Sequence, residues 1–592
     1  MKLIAPGQIT RRPIDASADG LQADLHEVIR RIYLARGVNT ADQLDLSLGR
    51  LLPPDGLGSV DAAANRLSRA VTEGERILVV GDFDADGATG TALALRALWA
   101  MGASAVDFRV PNRFEFGYGL TRPLVDTLAN DPPDLIITVD SGVCSNAGVA
   151  RAMELGSEVI VTDHHLPGEE LPAATAIVNP NLEGDAFPSK ALAGVGVMFY
   201  LLGVTRRVLE SKGWFSARRP APQMSRWLDL VALGTVADLV PLDRNNRVLV
   251  SNGVARIRQG LACTGIMSLL RVADRDYRFA GPSDLGFAIG PRLNAAGRLE
   301  DMSVGIRCLL SDEPDEAAAM ARELNELNLR RRELQEDMQQ QAFEHVRALL
   351  DRISDQPLPP ALCLHDPGWH QGVVGLVASR IKDAVHRPVV AFAPESPGAP
   401  VLKGSARSIR GLHVRDALAA VDAHHPGLIG AFGGHAMAAG LSLEASDLES
   451  FAKAFQAEIS RMLDGEEPVN EIRTDGELGP LEPEVGLALA LERAGPWGQR
   501  FPEPLFDGQF LVVEQRVVGA RHLKLRLQHP QGGSELDAIA FNHLPEDLER
   551  ASAPPGSGRV RILYRLDVNR WQGREQCQLI VEHFVSPDEA KG

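Results

Sequence analysis

The sequence predicts an α/β protein of several domains: a parallel-sheet domain, a long connecting helix, a second α/β domain and a small C-terminal β barrel. Three observations predict it. First, unbroken apolar runs, "RILVV" (76–80), "DLIITVD" (134–140), "EVIVTD" (158–163) and "AIVNP" (176–180), alternate with helix-like stretches such as "GTALALRALWAMG" and "SNAGVARAMELG". A strand covered by helices on both faces is apolar throughout, so such runs indicate a buried parallel sheet. Second, neither glycine nor proline follows Pro314 before about Ile353. Met320, Leu324, Leu327, Leu334, Met338, Ala342, Val346, Leu349 and Ile353 recur there at threes, fours or a seven, which predicts one helix of roughly 55–60 Å. Third, about the last 120 residues carry short alternating runs, "HLKLRLQ" and "RVRILYRLDV", as strands of a small barrel do.

A chain of 592 residues is too long for one core. The expected boundaries are an N-terminal extension (1–60), the parallel-sheet domain (61–312), the helix (313–353), the second α/β domain (354–465) and the barrel (466–592). An apolar content of 45% and a charged content of 23% are ordinary for globular protein. No 18-residue apolar run is present, and "MKLIAPGQITRRPID" lacks the apolar core of a signal peptide, so a cytoplasmic protein without membrane contact is expected. Cys144, Cys263, Cys308, Cys363 and Cys577 are scattered without a CxxC pair, which argues against zinc and disulfides. The net charge of −17 disfavours nucleic acid at first sight, but phosphate binding depends on local patches.

The first apolar run ends in "GDFDADG", three aspartates at alternate positions. Asp82, Asp84, Asp86 and Gly87 match the first half of a calcium-binding EF-hand loop, but Leu93 stands where that loop needs its bidentate glutamate. The segment also lacks the spacing of a nucleotide-binding glycine loop. Two readings remain, a divalent metal site with oxygen ligands and a solvated acidic turn. The other runs weigh on the choice. The second ends in Asp140 of "TVDSG", the third in Asp163, His164 and His165 of "VTDHH", and Asp238 interrupts the apolar "WLDLVALGTVADLVPL". Any one of these can be a helix cap or a paired acid. Together they stand where a parallel sheet binds ligands, outside the carboxyl ends of its strands. Carboxylates with imidazoles favour manganese or magnesium, and two adjacent ions suit hydrolysis of a phosphoester or phosphoanhydride.

"DFDADG", "VDSG", "DHH" and "GTVADLVPL", in this order, resemble the DHH phosphoesterase superfamily. "VPNRFEFGYGL", "AGVGVMFYL", "GPRLNAAGRLE", "WHQGVVGLVASRI", "KGSARSI", "GAFGGHAMAAGLSL" and "GPWGQRFPEPLF" narrow the resemblance to its RecJ exonuclease family across nearly the whole chain. The resemblance implies a DHH domain, a DHH-associated nucleic-acid-binding domain and an OB-like barrel. It implies a 5′→3′ exonuclease that degrades single-stranded DNA to 5′-mononucleotides with Mn2+ or Mg2+, in repair and recombination. Carried onto matching positions, it makes Asp82, Asp84, Asp86, Asp140, His164 and Asp238 a two-ion set, with His165, Asp84 and Asp140 catalytic. His165 would lie beside the scissile phosphate, and Asp82 is equally consistent with supporting the other two from outside.

For the strand itself the resemblance implies Arg113, Tyr118, Asn294 and Arg298 on the backbone or bases, and Ser405 and Arg407 on the 5′ phosphate. Asn294 and Arg298, four apart, face the same way on a helix. Tyr118 suits a stacked base or a loop anchor, and the glycines before His435 suit phosphate approach or a tight turn. In the barrel, Leu523, Leu525 and Leu527 alternate with His522, Lys524 and Arg526, and Arg570, Trp571 and Arg574 flank a turn. That face suits single-stranded nucleic acid on an OB-like barrel about as well as it suits plain solvation. The family implies a monomer, with single-strand binding protein and a helicase supplying substrate. Two other classes are set against this reading: a phosphohydrolase of short oligonucleotides or small phosphoanhydrides, and a non-catalytic scaffold. The barrel disfavours the first and the full set of acids the second.

Overall fold

The computed structural model describes residues 7–15, 19–22, 24–113, 115–353, 358–464, 466, 468, 470–519, 521–551, 558–571 and 573–585. They form two bodies. One comprises Ile14–Leu329 with Ala490–Glu503; the other gathers Arg330–Leu489, the chain from Pro504 onward, and the first strand, β1 (Gly7–Arg11).

In the first body, β2 (Ile77–Gly81), β3 (Val106–Arg109), β4 (Leu135–Val139), β5 (Glu158–Thr162) and β6 (Ala176–Val178) make an all-parallel sheet of order β3-β2-β4-β5-β6. The run of five apolar or small residues in β2 and in β4 is buried throughout, because helices cover both faces. On one face Leu78, Val80, Ile136, Val159 and Val161 meet Leu120, Leu124, Val125, Val149 and Ala152. On the other lie the helices Ala85–Met101 and Gly194–Ser211, with Leu228–Ala237 packed on both of them. The edge strand β3 was not foreseen. Its Asp107 and Arg109 are exposed, so it lacks the apolar run that marks its neighbours.

The long helix is a single element, Pro314–Ile353. Leu324, Leu327, Met338, Ala342 and Val346 are buried along it, while the side chains of Leu349 and Ile353 lie outside the described residues.

In the second body, β7 (Leu362–His365), β8 (Val389–Pro394), β9 (Val401–Arg407), β10 (Ala431–Gly434) and β11 (Ala438–Glu444) form a sheet of order β10-β11-β9-β8-β7. Only β7 and β8 are parallel, so this sheet is mixed. Phe392, Phe451 and Phe455 centre its core. A parallel pair joins β1 to β12 (Asn470–Thr474). The C-terminal strands β13 (Phe506–Val518), β14 (His522–Gln528), β15 (Leu536–Phe541), β16 (Arg559–Trp571) and β17 (Arg574–Val585) close a barrel of order β13-β14-β15-β17-β16.

Neighbours on the helix Ala85–Met101 offer a test of this packing. Leu98 is fully buried and Trp99 is 46% exposed. Leu98→Ala is expected to destabilise the first body by about 2–5 kcal/mol, and Trp99→Ala by much less. Urea unfolding followed by circular dichroism reads the difference.

Candidate metal centre

The parallel sheet delivers its charged residues by the same device three times: an apolar strand ends, and the next few residues turn polar over the sheet's carboxyl edge. After β2, Asp84 caps the helix Ala85–Met101, accepting from the amides of Asp86 (2.9 Å) and Gly87 (3.0 Å). Asp86 in the first turn points at the start of a second helix. Its carboxylate accepts from Gly194 N (2.6 Å) and Val195 N (2.9 Å), two amides that the helix Gly194–Ser211 leaves unbonded. Only glycine fits at 194, since a Cβ there would lie 2.5 Å from Asp140 Cβ. After β4, Asp140 adopts a left-handed backbone (φ 60°), and Tyr118 Oη donates to its carbonyl oxygen at 3.0 Å. After β5 come Asp163, His164 and His165. Asp238 arrives from the end of the helix Leu228–Ala237.

These groups converge. His164 Nε2 lies 3.0 Å from Asp140 Oδ1, 3.5 Å from Asp238 Oδ2 and 4.0 Å from Asp86 Oδ2. Three sets of donor atoms, each within 4.8 Å of one another, overlap: Asp82, Asp84 and Asp140; Asp86, His164 and Asp238; Asp140, His164 and His165. Oδ1 of Asp82 and Oδ1 of Asp140 are buried without a hydrogen bond. Burial, then the neighbouring carboxylates, push Asp82, Asp140 and Asp238 far above the ordinary carboxylate range and Asp86 up to about 7. Carboxylates crowded in this way need protons or cations. Two buried oxygens without a hydrogen bond, beside further oxygens and an imidazole, fit hard divalent ions such as Mg2+ or Mn2+.

Asp163 is bonded differently. Its Oδ1 accepts from His164 N (2.8 Å), His165 N (3.1 Å) and His165 Nδ1 (2.7 Å), and its Oδ2 from Val143 N (2.9 Å). Burial would raise its pKa, but the His165 hydrogen bond and charge prevail and hold it low. In return, burial would lower His165, but Asp163 raises it above the ordinary imidazole value. Asn179 and Asn181 escaped the reading of the sequence. Their amides donate to the carbonyls of His165 (2.8 Å) and His164 (2.5 Å), pinning both histidines from behind. The only local signal is "NPN" directly after an apolar run.

Arg113 stacks over the Phe83 ring at 4.4 Å, within reach of the Asp82 and Asp84 charges. Tyr118 meets Phe83 edge-on at 6.0 Å, and its hydroxyl is 3.3 Å from His165 Nδ1. Asn294 and Arg298 share the helix Gly290–Leu299. Asn294 Oδ1 accepts from Ala85 N at 2.7 Å, so this side chain grips the aspartate loop as well as lying beside it. Gly297 presses on the same loop, where a Cβ would fall 1.8 Å from the Phe83 carbonyl oxygen.

In the second body, Arg407 Nη1 donates to Ser405 Oγ at 2.9 Å. A Cβ on Gly375, in the first turn of the helix Val374–Val385, would lie 2.9 Å from Ser405 Oγ and 2.7 Å from Arg407 Nη2. A hydroxyl, a guanidinium and a helix N-terminus thus meet, a combination suited to an anion. Ser405 pairs with Gly440, and Gly440 with Gly433, leaving open backbone beside it. His435 sits in the β10–β11 turn, its amide donating to Ala438 O at 2.7 Å. In the barrel, Leu523, Leu525 and Leu527 are buried as the alternation predicts. The cations opposite them face acids: Lys524 lies 3.6 Å from Asp537, and Arg526 pairs with Glu535 and, at 3.6 Å, Glu514. Arg570 likewise holds Glu575 at 3.1 Å, and the Trp571 side chain lies outside the described residues.

Comparison with known proteins places these features in one family. Profiles of the DHH family N-terminal domain, the DHHA1 domain and the RecJ OB domain match residues 76–235, 359–461 and 474–583. The chain is 51% identical over 579 residues to the single-stranded-DNA-specific exonuclease RecJ of Escherichia coli, covering 98% of this chain and 99% of that protein. It is 37% identical over 566 residues to RecJ of Thermus thermophilus, covering 95% and 75%. The crystal structure of Thermus thermophilus RecJ with Mn2+ superposes with a TM-score of 0.77 at 32% identity, over 99% of this chain and 80% of that one. The Mg2+ complex gives 0.72 at 31%, over 98% and 78%.

The charge crowding has a measurable sign. Asp86 binds a proton in the folded state up to about pH 7 but loses it near 3.8 when unfolded. Metal-free protein is therefore expected to lose stability as pH rises through that window, and Mn2+ to raise the melting temperature more at pH 7.5 than at pH 5.5. Asp86→Asn should flatten the pH dependence, and calorimetric melts of chelated and Mn2+-loaded protein read both effects.

Proposed function

The chain belongs to the RecJ family of the DHH superfamily, and from that premise we propose how its own residues degrade single-stranded DNA. The reading is a metal-dependent exonuclease that removes 5′-mononucleotides from a 5′ end. The observation that carries it is the convergence of Asp82, Asp84, Asp86, Asp140, His164 and Asp238 with two buried oxygens left unbonded.

Asp140 and His164, common to two donor sets each, would hold two ions side by side, with Asp82 and Asp84 serving one and Asp86 and Asp238 the other. Mn2+ or Mg2+ bound there supplies positive charge for the phosphate oxygens and makes a water acidic enough to attack. His165, raised above the ordinary imidazole value by Asp163 and flanked by Tyr118, would donate to the phosphate or to the leaving 3′ oxygen. Tyr118 Oη also ties the Asp140 backbone in place, so this residue orients the centre whether or not it stacks on a base. Arg113, seated on Phe83, and Arg298 would contact the sugar–phosphate backbone, while Asn294 would serve the strand from a side chain already bonded to the aspartate loop.

Ser405 and Arg407, beside the helix N-terminus at Gly375, would hold the terminal 5′ phosphate; anchoring that end makes cleavage start from it. The open backbone before His435 would admit the strand nearby. Lys524 and Arg526 would bind phosphate by exchanging their acidic partners, which makes them weaker contacts than Arg407. Among the described residues no helix is long and apolar enough to cross a membrane. A cytoplasmic monomer, fed single strands by a helicase and by single-strand binding protein, completes the proposal.

A single-stranded oligonucleotide labelled at its 3′ end and incubated with Mn2+ should shorten from the 5′ end while blunt duplex survives. Asp140→Ala is expected to lower the rate by about 10²–10³-fold or more. Survival of the strand alongside hydrolysis of dinucleotides would leave a small phosphohydrolase instead. Arg407→Ala should lower kcat/KM on 5′-phosphorylated strands by roughly 10- to 100-fold and bring them towards parity with 5′-hydroxyl strands.

A further inference from the structure

Phe287 is 77% exposed, although Leu285 and Ile289 on either side of it in the chain are fully buried. It lies in a single π-helical turn, Leu285–Ile289, that runs directly into the helix carrying Asn294 and Arg298. Such turns insert one residue into a helix and redirect side chains, and they gather at functional sites. Here the turn keeps two neighbours in the core and puts a phenyl ring in solvent.

The turn packs on the element that bears a metal-site carboxylate. A Cβ on Gly286 would lie 3.3 Å from Val236 Cγ1, and one on Gly290 3.2 Å from Ala237 Cβ. Val236 and Ala237 end the helix that delivers Asp238. The next residue, Leu239, is 66% exposed and is held at φ 61°, a left-handed backbone that leucine seldom adopts. Leu239 is thus exposed directly after Asp238, and Phe287 is exposed on a turn packed against the same helix end. A phosphate would be repelled by those acids wherever cations are not held, whereas a neutral flat ring would not.

We infer that Phe287 is a platform for an unpaired nucleobase of the strand being cut. The inference rests on the exonuclease reading and extends it to a base subsite. An aromatic face accepts any base, so the platform orients the strand without reading its sequence. A base still stacked and paired in a duplex offers no free face, so the platform also contributes to selecting single strands. Phe287 touches the base and not the reacting atoms; it is a specificity residue.

The test compares wild type, Phe287→Ala and Phe287→Tyr on 3′-labelled, 5′-phosphorylated strands with Mn2+, using natural strands and strands whose first nucleotides are abasic. Phe287→Ala should lose roughly 10- to 100-fold in kcat/KM on natural strands, mainly through KM, and Phe287→Tyr should restore most of it. On abasic strands wild type should fall by a similar factor and Phe287→Ala should lose little more. Equal losses for Phe287→Ala on natural and abasic strands, or no loss on either, would overturn the platform. Failure of the wild type to shorten any strand would instead overturn the exonuclease reading.

Discussion

Five carboxylates drawn to one point are the constraint on which the first body depends. Charges buried this closely repel, and burial raises the cost of each. The fold meets that cost with donors before any cation arrives. Backbone amides of Asp86, Gly87, Gly194 and Val195 satisfy two of the acids, and the positive ends of two helices face them. What remains is a pair of buried oxygens with no hydrogen bond, a demand that a divalent cation would meet.

Much of the surrounding structure keeps this arrangement from relaxing. Asn294 and Gly297 clamp the aspartate loop from one side, while Asn179 and Asn181 hold the two histidines from another. Asp163 orients His165, Tyr118 ties down Asp140, and Phe83 seats Arg113. A metal centre whose ligands are held by hydrogen bonds of their own is set in geometry before it binds, which lowers the reorganisation left for the reaction.

The second body presents the opposite chemistry. Ser405, Arg407 and the helix start at Gly375 present donors and positive charge, with bare glycine backbone alongside. One body thus concentrates negative charge, and the other gathers donors and positive charge in a combination suited to an anion. A net charge of −17 hides this division, because a sum over the whole chain does not say where charges of either sign gather.

The sequence by itself determined the parallel sheet, the 40-residue helix and the barrel, because apolar periodicity reports which faces must be buried. It also brought Asp82, Asp84, Asp86, Asp140, His164, His165 and Asp238 under suspicion, since acids at the ends of apolar strands are costly without a reason. Edge strand β3 was not legible, for a half-exposed strand has no apolar run. Nor were the supports: Asn179, Asn181 and the grip of Asn294 on Ala85 join residues far apart in the chain, and amide side chains carry no local signature of what they will bond. The pairing of Lys524 and Arg526 with acids needed neighbouring strands, because alternation says which way a residue faces and not what faces it. Nothing in the sequence marked Phe287. In the fold a π turn, packed against Val236 and Ala237, stands it in solvent.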